Sequence, residues 1–296
     1  MSIKVSFRKT FFRLLTAITV VLCFSPSLVL AVDISSDTTI SSDVTTQQKI
    51  TADDVTVTIN ATIDYDGNSA MMVKAGQSGA SIIINSGGSV TNTDTDSSGA
   101  NSYTVKAQSG TNVTITNSGT IRAYDNYAVD VNKSTGATIT NNAGGIIYAE
   151  RLAIAAADTT TSDATLTNHG TVYITTRKSA VNFNGASNVT LTNAGKIYRG
   201  SGALTTDDWS QSTIVLGSSS TLTNSGEIRN DASQTISSIY LSGDNNTIIL
   251  KDEGIVTGVL TAASGTSGNE LQFDHGFGRT YFYETSGDFT LEDLSG

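Results

Sequence analysis

One short phrase of threonine, asparagine and glycine returns along most of this chain. It reads "VTITNSGTI" from position 113, "ATLTNHGTV" from 164, "VTLTNAGKI" from 189 and "STLTNSGEI" from 220. Self-similarity at such a period indicates a repeat architecture, in which each unit packs on the next. Aligning the asparagines gives successive intervals of 25, 32, 24, 27, 25 and 31 residues for Asn60, Asn85, Asn117, Asn141, Asn168, Asn193 and Asn224.

Each repeat reads as three short strands separated by turns. A second strand such as "TIRAY" follows the asparagine and its glycine, and a third such as "YAVDVN" follows in phase. In "VTITN" we expect Val113 and Ile115 to point inward and the threonines outward, because side chains alternate along a strand. Even "AERLAIAAAD" at 149–158, whose composition favours a helix, falls where a third strand is due. The pattern predicts an all-β fold, a right-handed parallel β-helix (solenoid) of about eight to nine rungs.

The recurring asparagine has two candidate roles at the same corner of successive rungs. Asparagine tolerates the left-handed backbone conformation of a sharp corner, and glycine beside it supplies a positive φ. Stacked amides can also hydrogen-bond to one another along a ladder. We therefore expect all seven asparagines to form one structural corner ladder.

The N-terminal 31 residues have the pattern of a secretory signal peptide. A basic start is followed by an apolar run that ends at Ala31, where we expect cleavage. Removal takes the single cysteine, Cys23, and the single proline, Pro26, so disulfides would play no part in stability. It also takes four of the 17 Lys and Arg residues and none of the 27 Asp and Glu, which moves the formal charge from −10 to −14. Such an acidic chain is a poor partner for nucleic acid.

The phrases "TITNSGTI" and "YAVDV", repeated with the asparagine–glycine corner, resemble the passenger region of autotransporters, the type V secreted proteins of Gram-negative bacteria. The resemblance covers about residues 50–290, and the aromatic-rich stretch 268–296 is similar to the last coils of such passengers. It implies a signal peptide at 1–31, β-helix repeats at 32–267 and a final coil or cap at 268–296.

The same family carries a C-terminal β-barrel that we expect to be missing here. The chain would then be a truncated product or depend on a separate translocator. The resemblance implies display at the cell surface or outer membrane, or secretion, for a full-length member, and a periplasmic location without a barrel. It also implies an unidentified host or cell-surface ligand.

Residues suited to catalysis or metal binding are scattered in the sequence. His169 lies in a variable turn, and His275 next to Asp274 is the one histidine–carboxylate neighbour pair. Calcium loops would need further ligands that the Asp-x-Asp stretches lack. We expect no catalytic residue, metal site or cofactor. The acidic pairs considered were Asp64 with Asp66, Asp94 with Asp96, and Asp207 with Asp208.

Two functions are compatible with this reading of the sequence. The first is an adhesive or structural passenger that makes contacts without catalysis. The alternative is a polysaccharide-active β-helix enzyme, either a lyase or a hydrolase, which would need clustered carboxylates with a Lys or Arg in one groove. The absence of such a cluster from the sequence favours the passenger.

Overall fold

A computed structural model describes residues 31–95, 102–125, 127–175, 178–202, 209–232, 236–251, 253–274 and 284–293. The strands are β1 (Val32–Ile34), β2 (Thr38–Ile40), β3 (Gln48–Ile50), β4 (Thr56–Ile59), β5 (Thr62–Tyr65), β6 (Ser69–Val73), β7 (Ser81–Ile84), β8 (Ser89–Asn92), β9 (Tyr103–Lys106), β10 (Thr114–Asn117), β11 (Thr120–Ala123), β12 (Tyr127–Asp130), β13 (Thr138–Asn141), β14 (Ile146–Ala149), β15 (Leu152–Ala155), β16 (Thr165–Asn168), β17 (Thr171–Ile174), β18 (Val181–Ser187), β19 (Thr190–Asn193), β20 (Lys196–Arg199), β21 (Ile214–Ser218), β22 (Thr221–Asn224), β23 (Glu227–Asn230), β24 (Ser237–Leu241), β25 (Thr247–Lys251), β26 (Ile255–Thr257), β27 (Val259–Ala262), β28 (Glu270–Asp274), β29 (Glu284–Ser286) and β30 (Thr290–Asp293). A 3-10 turn spans Trp209–Gln211.

The strands form three parallel sheets that wind as a right-handed β-helix, as the repeat predicts. The first sheet has the order β1-β3-β6-β9-β12-β15-β18-β21-β24-β27-β29, and the second has β2-β4-β7-β10-β13-β16-β19-β22-β25-β28-β30. The third runs β5-β8-β11-β14-β17-β20-β23-β26. Eight coils, from β4–β6 to β25–β27, contain a strand of every sheet, and the two longer sheets extend to eleven strands.

The core is a column of aliphatic side chains inside the coils. On β10, Ile115 is fully buried between Ile82 and Ile139 of the adjoining coils, whereas Thr114 and Thr116 face outward and are half-buried. Val113 just before the strand is also buried. This is the expected alternation, and it repeats in register through the second sheet. Burial of each such aliphatic side chain contributes about 1.5–3 kcal/mol to the stability of the fold. A single coil cannot bury its inner face alone, so this stabilisation depends on the stacking of neighbouring coils.

The helix-favouring stretch at 149–158 forms a strand. Its central residues are β15, which pairs with β12 and β18 in the first sheet, and all four side chains are buried. Tertiary packing therefore overrides the intrinsic preference of alanine and leucine for a helix.

The C-terminal strands continue the coil. Leu271 and Phe273 of β28 lie beside Ile248 and Leu250 of β25, and β30 pairs in parallel with β28. Phe273 and Phe289 pack against the core. The other aromatic residues of the proposed cap, Phe277, Tyr281, Phe282 and Tyr283, lie outside the described residues, as does the signal-like segment 1–30. Within the described ranges, no helix has the length and apolarity needed to cross a membrane.

Candidate functional site

Five of the recurring asparagines form a hydrogen-bonded ladder inside the β-helix. Each side-chain Nδ2 donates to Oδ1 of the asparagine one coil later, at 2.8, 2.8, 2.8 and 2.7 Å. The ladder runs in one direction and all five side chains are fully buried, in the order Asn117, Asn141, Asn168, Asn193 and Asn224. A buried amide must find partners, and here each supplies the partner of the next.

The same amides also tie the corner to the backbone of two coils. Asn168 Nδ2, for example, lies 3.4 Å from the carbonyl oxygen of Gly170 in its own turn and 3.2 Å from that of Lys196 in the next coil. The ladder ends where aliphatic residues take its place, because Asn117 pairs with Ile84 and Asn224 with Leu250. The interior corner is therefore polar in the middle of the solenoid and apolar at both ends.

Asn60 and Asn85 lie outside this ladder, although the sequence alignment placed them in it. Ile59 and Ile84 occupy the interior position of their coils, so each asparagine falls one residue later, on the exposed turn. There Asn85 Nδ2 donates to Asn60 Oδ1 at 2.7 Å as a separate surface pair. A one-residue shift of register moves a side chain from the core to solvent.

The backbone explanation for the corner asparagines is wrong. Among the described residues none of the five has a positive φ. The expected positive φ is found at the corner glycines Gly87 and Gly144, but not at Gly119, Gly170, Gly195 and Gly226. These glycines are required by space, since a Cβ on Gly195 would lie 2.2 Å from the carbonyl oxygen of Gly170. The amide ladder is thus the physical reason for the asparagine, and close backbone approach is the reason for these four glycines.

Left-handed residues instead define the turn that precedes the second sheet. They have φ values between 52° and 68° and stand directly before the buried residue that leads into each strand: Asp54, Gly79, Asn112, Gly136, Asp163, Asn188, Ser219, Asn245 and Gly268. Four of these turns carry a sequence signal, namely Asn, Asp or Gly followed by Val or Ala and then "TxTN", at Asn112, Gly136, Asp163 and Asn188. The sequence-based prediction did not include it.

The third sheet carries a continuous row of aromatic and cationic side chains on its outer face. We call it the arginine–tyrosine row: Arg122, Tyr148, Tyr173, Tyr198 and Arg229, one from each of five successive coils in register. The rings of Tyr148 and Tyr173 lie 4.6 Å apart, and those of Tyr173 and Tyr198 stack at 5.0 Å and 12°. The guanidinium groups lie 5.1 Å from the Tyr148 ring and 5.3 Å from the Tyr198 ring.

The two ends of the arginine–tyrosine row differ in charge. Arg229 forms ion pairs with Glu227 at 3.0 Å and Asp231 at 2.8 Å. The Arg122 guanidinium lies 4.3 Å from the Tyr124 ring as well as over the Tyr148 ring, and it forms no ion pair with a described residue. Burial raises the pKa of the Tyr173 and Tyr198 phenols, so the tyrosines remain neutral hydrogen-bonding groups. Ring pairs contribute about 0.5–1.5 kcal/mol each, which holds the row rigid.

A buried carboxyl on the first sheet was not identified from the sequence. Asp130 accepts hydrogen bonds from Gln108 Nε2 at 2.5 Å and from the backbone N–H of Asn132 at 2.9 Å. Burial raises its pKa to about 6, and burial also raises the pKa of nearby Tyr103 to about 12. Because Asp130 is fully buried, its carboxyl cannot reach a substrate in this conformation.

The acidic residues considered for catalysis do not converge among the described residues. Asp64 is exposed on the third sheet, Asp66 is exposed in the following loop, and Asp94 accepts a hydrogen bond from the Ser102 hydroxyl. His169 is exposed in a turn. No group of three or more His, Cys, Asp or Glu side chains within the described ranges could hold a metal ion. The remaining candidates Asp96, Asp207, Asp208 and His275 lie outside these ranges.

Comparison with known proteins adds no assignment to these observations. No protein-family model matches the sequence, and no curated protein matches it. The side chains of the described coils are therefore the basis on which function can be inferred.

Proposed function

We propose that this chain is an exported β-helical passenger, of the autotransporter type, that acts by contact and not by catalysis. The N-terminal signal-like segment and the asparagine–glycine repeat support the export pathway and the family. The observation that carries the contact function is the arginine–tyrosine row, because it presents aromatic and cationic groups at the regular spacing of the coils. Contact sites in proteins are enriched in these two residue types.

The row suits a ligand-binding surface for two physical reasons. Its side chains are held by one another, so little conformational entropy is lost when a ligand binds. Arg122 contacts two rings and has no ion-pair partner in the described part of the chain, so it keeps guanidinium N–H groups for a ligand oxygen. We infer that the row is the contact surface for a host or cell-surface ligand.

The polysaccharide-active enzyme has weaker support. Such enzymes place carboxylates around one sugar-binding groove. Asp130, a described carboxyl with a raised pKa, is buried. Asp64 and Asp66 face solvent, and the described residues form no carboxylate cluster around them.

The proposal is tested by binding of the full chain, purified after export, to immobilised glycans and extracellular-matrix proteins. The double variant Arg122→Ala, Tyr173→Ala should bind its ligand roughly tenfold more weakly, because the terminal cation and the central ring of the row are removed. The matched control Lys49→Ala, Tyr240→Ala removes a cation and a tyrosine from the first sheet and should bind like the wild type. Absence of any bound ligand, or equal weakening by both double variants, would contradict the proposal.

A further inference from the structure

Ten threonine side chains form a regular lattice on the outer face of the second sheet. They are the first and third residues of five successive strands in unbroken register. We call this surface the threonine face: Thr114, Thr116, Thr138, Thr140, Thr165, Thr167, Thr190, Thr192, Thr221 and Thr223. The outward residues of these five strands include no charged side chain.

The hydroxyl groups of the threonine face have no side-chain hydrogen bond to another described residue. The ten side chains are half-buried or exposed, so each hydroxyl has its hydrogen-bonding capacity directed to solvent. A hydroxyl can donate once and accept twice. The face is therefore a two-dimensional array of neutral donors and acceptors alternating with methyl groups.

The positions of the threonine side chains are fixed by the buried residues beneath the sheet and by the restricted rotamers of threonine. Its strands lie over the aliphatic row that contains Ile115 and Leu191 and beside the asparagine ladder, both fully buried. Threonine is branched at Cβ, which restricts χ1. Positions within the lattice are thus set by the backbone, and a ligand with a matching period can contact many hydroxyls with little loss of side-chain entropy.

The lattice spacing can be compared with that of crystalline water. Neighbouring strands are about 4.8 Å apart, and residues two apart on a strand are about 6.6 Å apart. Tetrahedral water with O···O of about 2.75 Å has second-neighbour oxygens about 4.5 Å apart and repeats at about 7.3 Å along its axis. The strand spacing exceeds the second-neighbour oxygen spacing by about 0.3 Å. Over the four intervals from β10 to β22 this difference adds to about 1.2 Å, which is less than half of the oxygen spacing. The patch is short enough to remain in phase with ice.

Two other occupants fit these observations less well. A charged polymer finds no complementary charge on the outward side chains of the five strands. A second protein sheet packed dry against the face would leave buried hydroxyls without partners, at about 1–3 kcal/mol each. An ordered water layer satisfies the hydroxyls and costs no such desolvation. We propose that the threonine face binds the surface of ice, independently of any ligand of the arginine–tyrosine row.

The experiment measures how much of the labelled full chain enters a slowly growing ice front, with the remaining liquid as reference. The wild type should be enriched in ice relative to serum albumin. The variant Thr167→Lys, Thr192→Lys places two cations in the centre of the lattice and should lower enrichment roughly tenfold, to the albumin level. The control Thr120→Lys, Thr171→Lys makes the same change on the outer face of the third sheet and should keep wild-type enrichment. Circular dichroism verifies that all three proteins are folded.

Three results would overturn the ice proposal. The first is a wild type excluded from ice like albumin. The second is an equal loss of enrichment in both double-lysine variants, which would place the effect outside the threonine face. The third is retention of the wild type on microcrystalline cellulose or chitin, abolished by Thr167→Lys, Thr192→Lys, without enrichment in ice. That outcome would identify a crystalline polysaccharide as the occupant.

Discussion

Removal of single amides from the asparagine ladder should cost different amounts according to position, because the ladder has a direction. In Asn168→Ala the Asn193 Oδ1 atom loses its donor inside the core, and Asn141 Nδ2 loses one of its acceptors. One orphaned buried acceptor and the lost hydrogen bonds together predict a loss of about 2–4 kcal/mol in the free energy of unfolding. In Asn224→Ala no asparagine oxygen is orphaned, because within the described coils Asn224 Nδ2 donates only to the backbone carbonyl oxygens of Gly226 and Ile255. The Asn193 Nδ2 atom loses one acceptor but keeps the carbonyl oxygens of Gly195 and Glu227. We expect a loss of about 1–2 kcal/mol there.

The measurement is urea-induced unfolding followed by circular dichroism, with hydrogen exchange to locate the coils that open first. Asn60→Ala is the matched control, because it removes the same amide from an exposed pair and should cost less than about 1 kcal/mol. The order of destabilisation should be Asn168→Ala, then Asn224→Ala, then Asn60→Ala. Equal effects of Asn168→Ala and Asn224→Ala would refute the directional ladder. If Asn60→Ala lowered the free energy of unfolding as much as the two core variants, the burial of the asparagine ladder would be refuted.

Two further changes test the glycine turns and the buried carboxyl. Gly195→Ala should destabilise the chain by about 1–3 kcal/mol in the same urea unfolding experiment, because its Cβ meets the backbone of the previous coil. Gly144→Asn should cost less than about 1 kcal/mol, because Gly144 has open space around it and a φ of 83° that asparagine tolerates. Asp130 binds its proton more tightly when folded, so its ionisation lowers stability as pH rises from about 4 through its folded pKa of about 6. Asp130→Asn should therefore be more stable than the wild type at pH 7.5, by up to about 3 kcal/mol, and lose that advantage at pH 4; a difference independent of pH would contradict the assignment.

The fold could be predicted from the sequence because one signal repeats in every coil. Val113 and Ile115 alternate with threonine, and the strand period of two then decides which side is buried. The position of 149–158 in the repeat predicted the strand β15 correctly, although the composition of this stretch favours a helix. The interior position of the five ladder asparagines follows from the same alternation, two residues after the buried aliphatic.

The remaining features depend on contacts between distant residues. Four residues separate Ala80 from Asn85 but only three separate Val113 from Asn117, so Asn85 seemed aligned with Asn117 although Ile84 is its partner. Arg199 shows the same difficulty. It is fully buried at the end of β20, and its guanidinium donates to the carbonyl oxygen of Lys178 at 3.1 Å, in a loop 21 residues away. A charged residue is ordinarily placed at the surface, and nothing local in "KIYR" signals that partner.

Contact without catalysis is the central claim, and the fate of the bound ligand tests it most directly. The full chain is incubated with the glycan or matrix protein that it retains in the binding experiment. The ligand is then recovered and its mass distribution is measured. We expect the chain to be retained through the arginine–tyrosine row while the ligand keeps its original mass after prolonged incubation. Shortened ligand chains that accumulate with time, and that are absent with heat-denatured protein, would contradict the account and establish an enzyme.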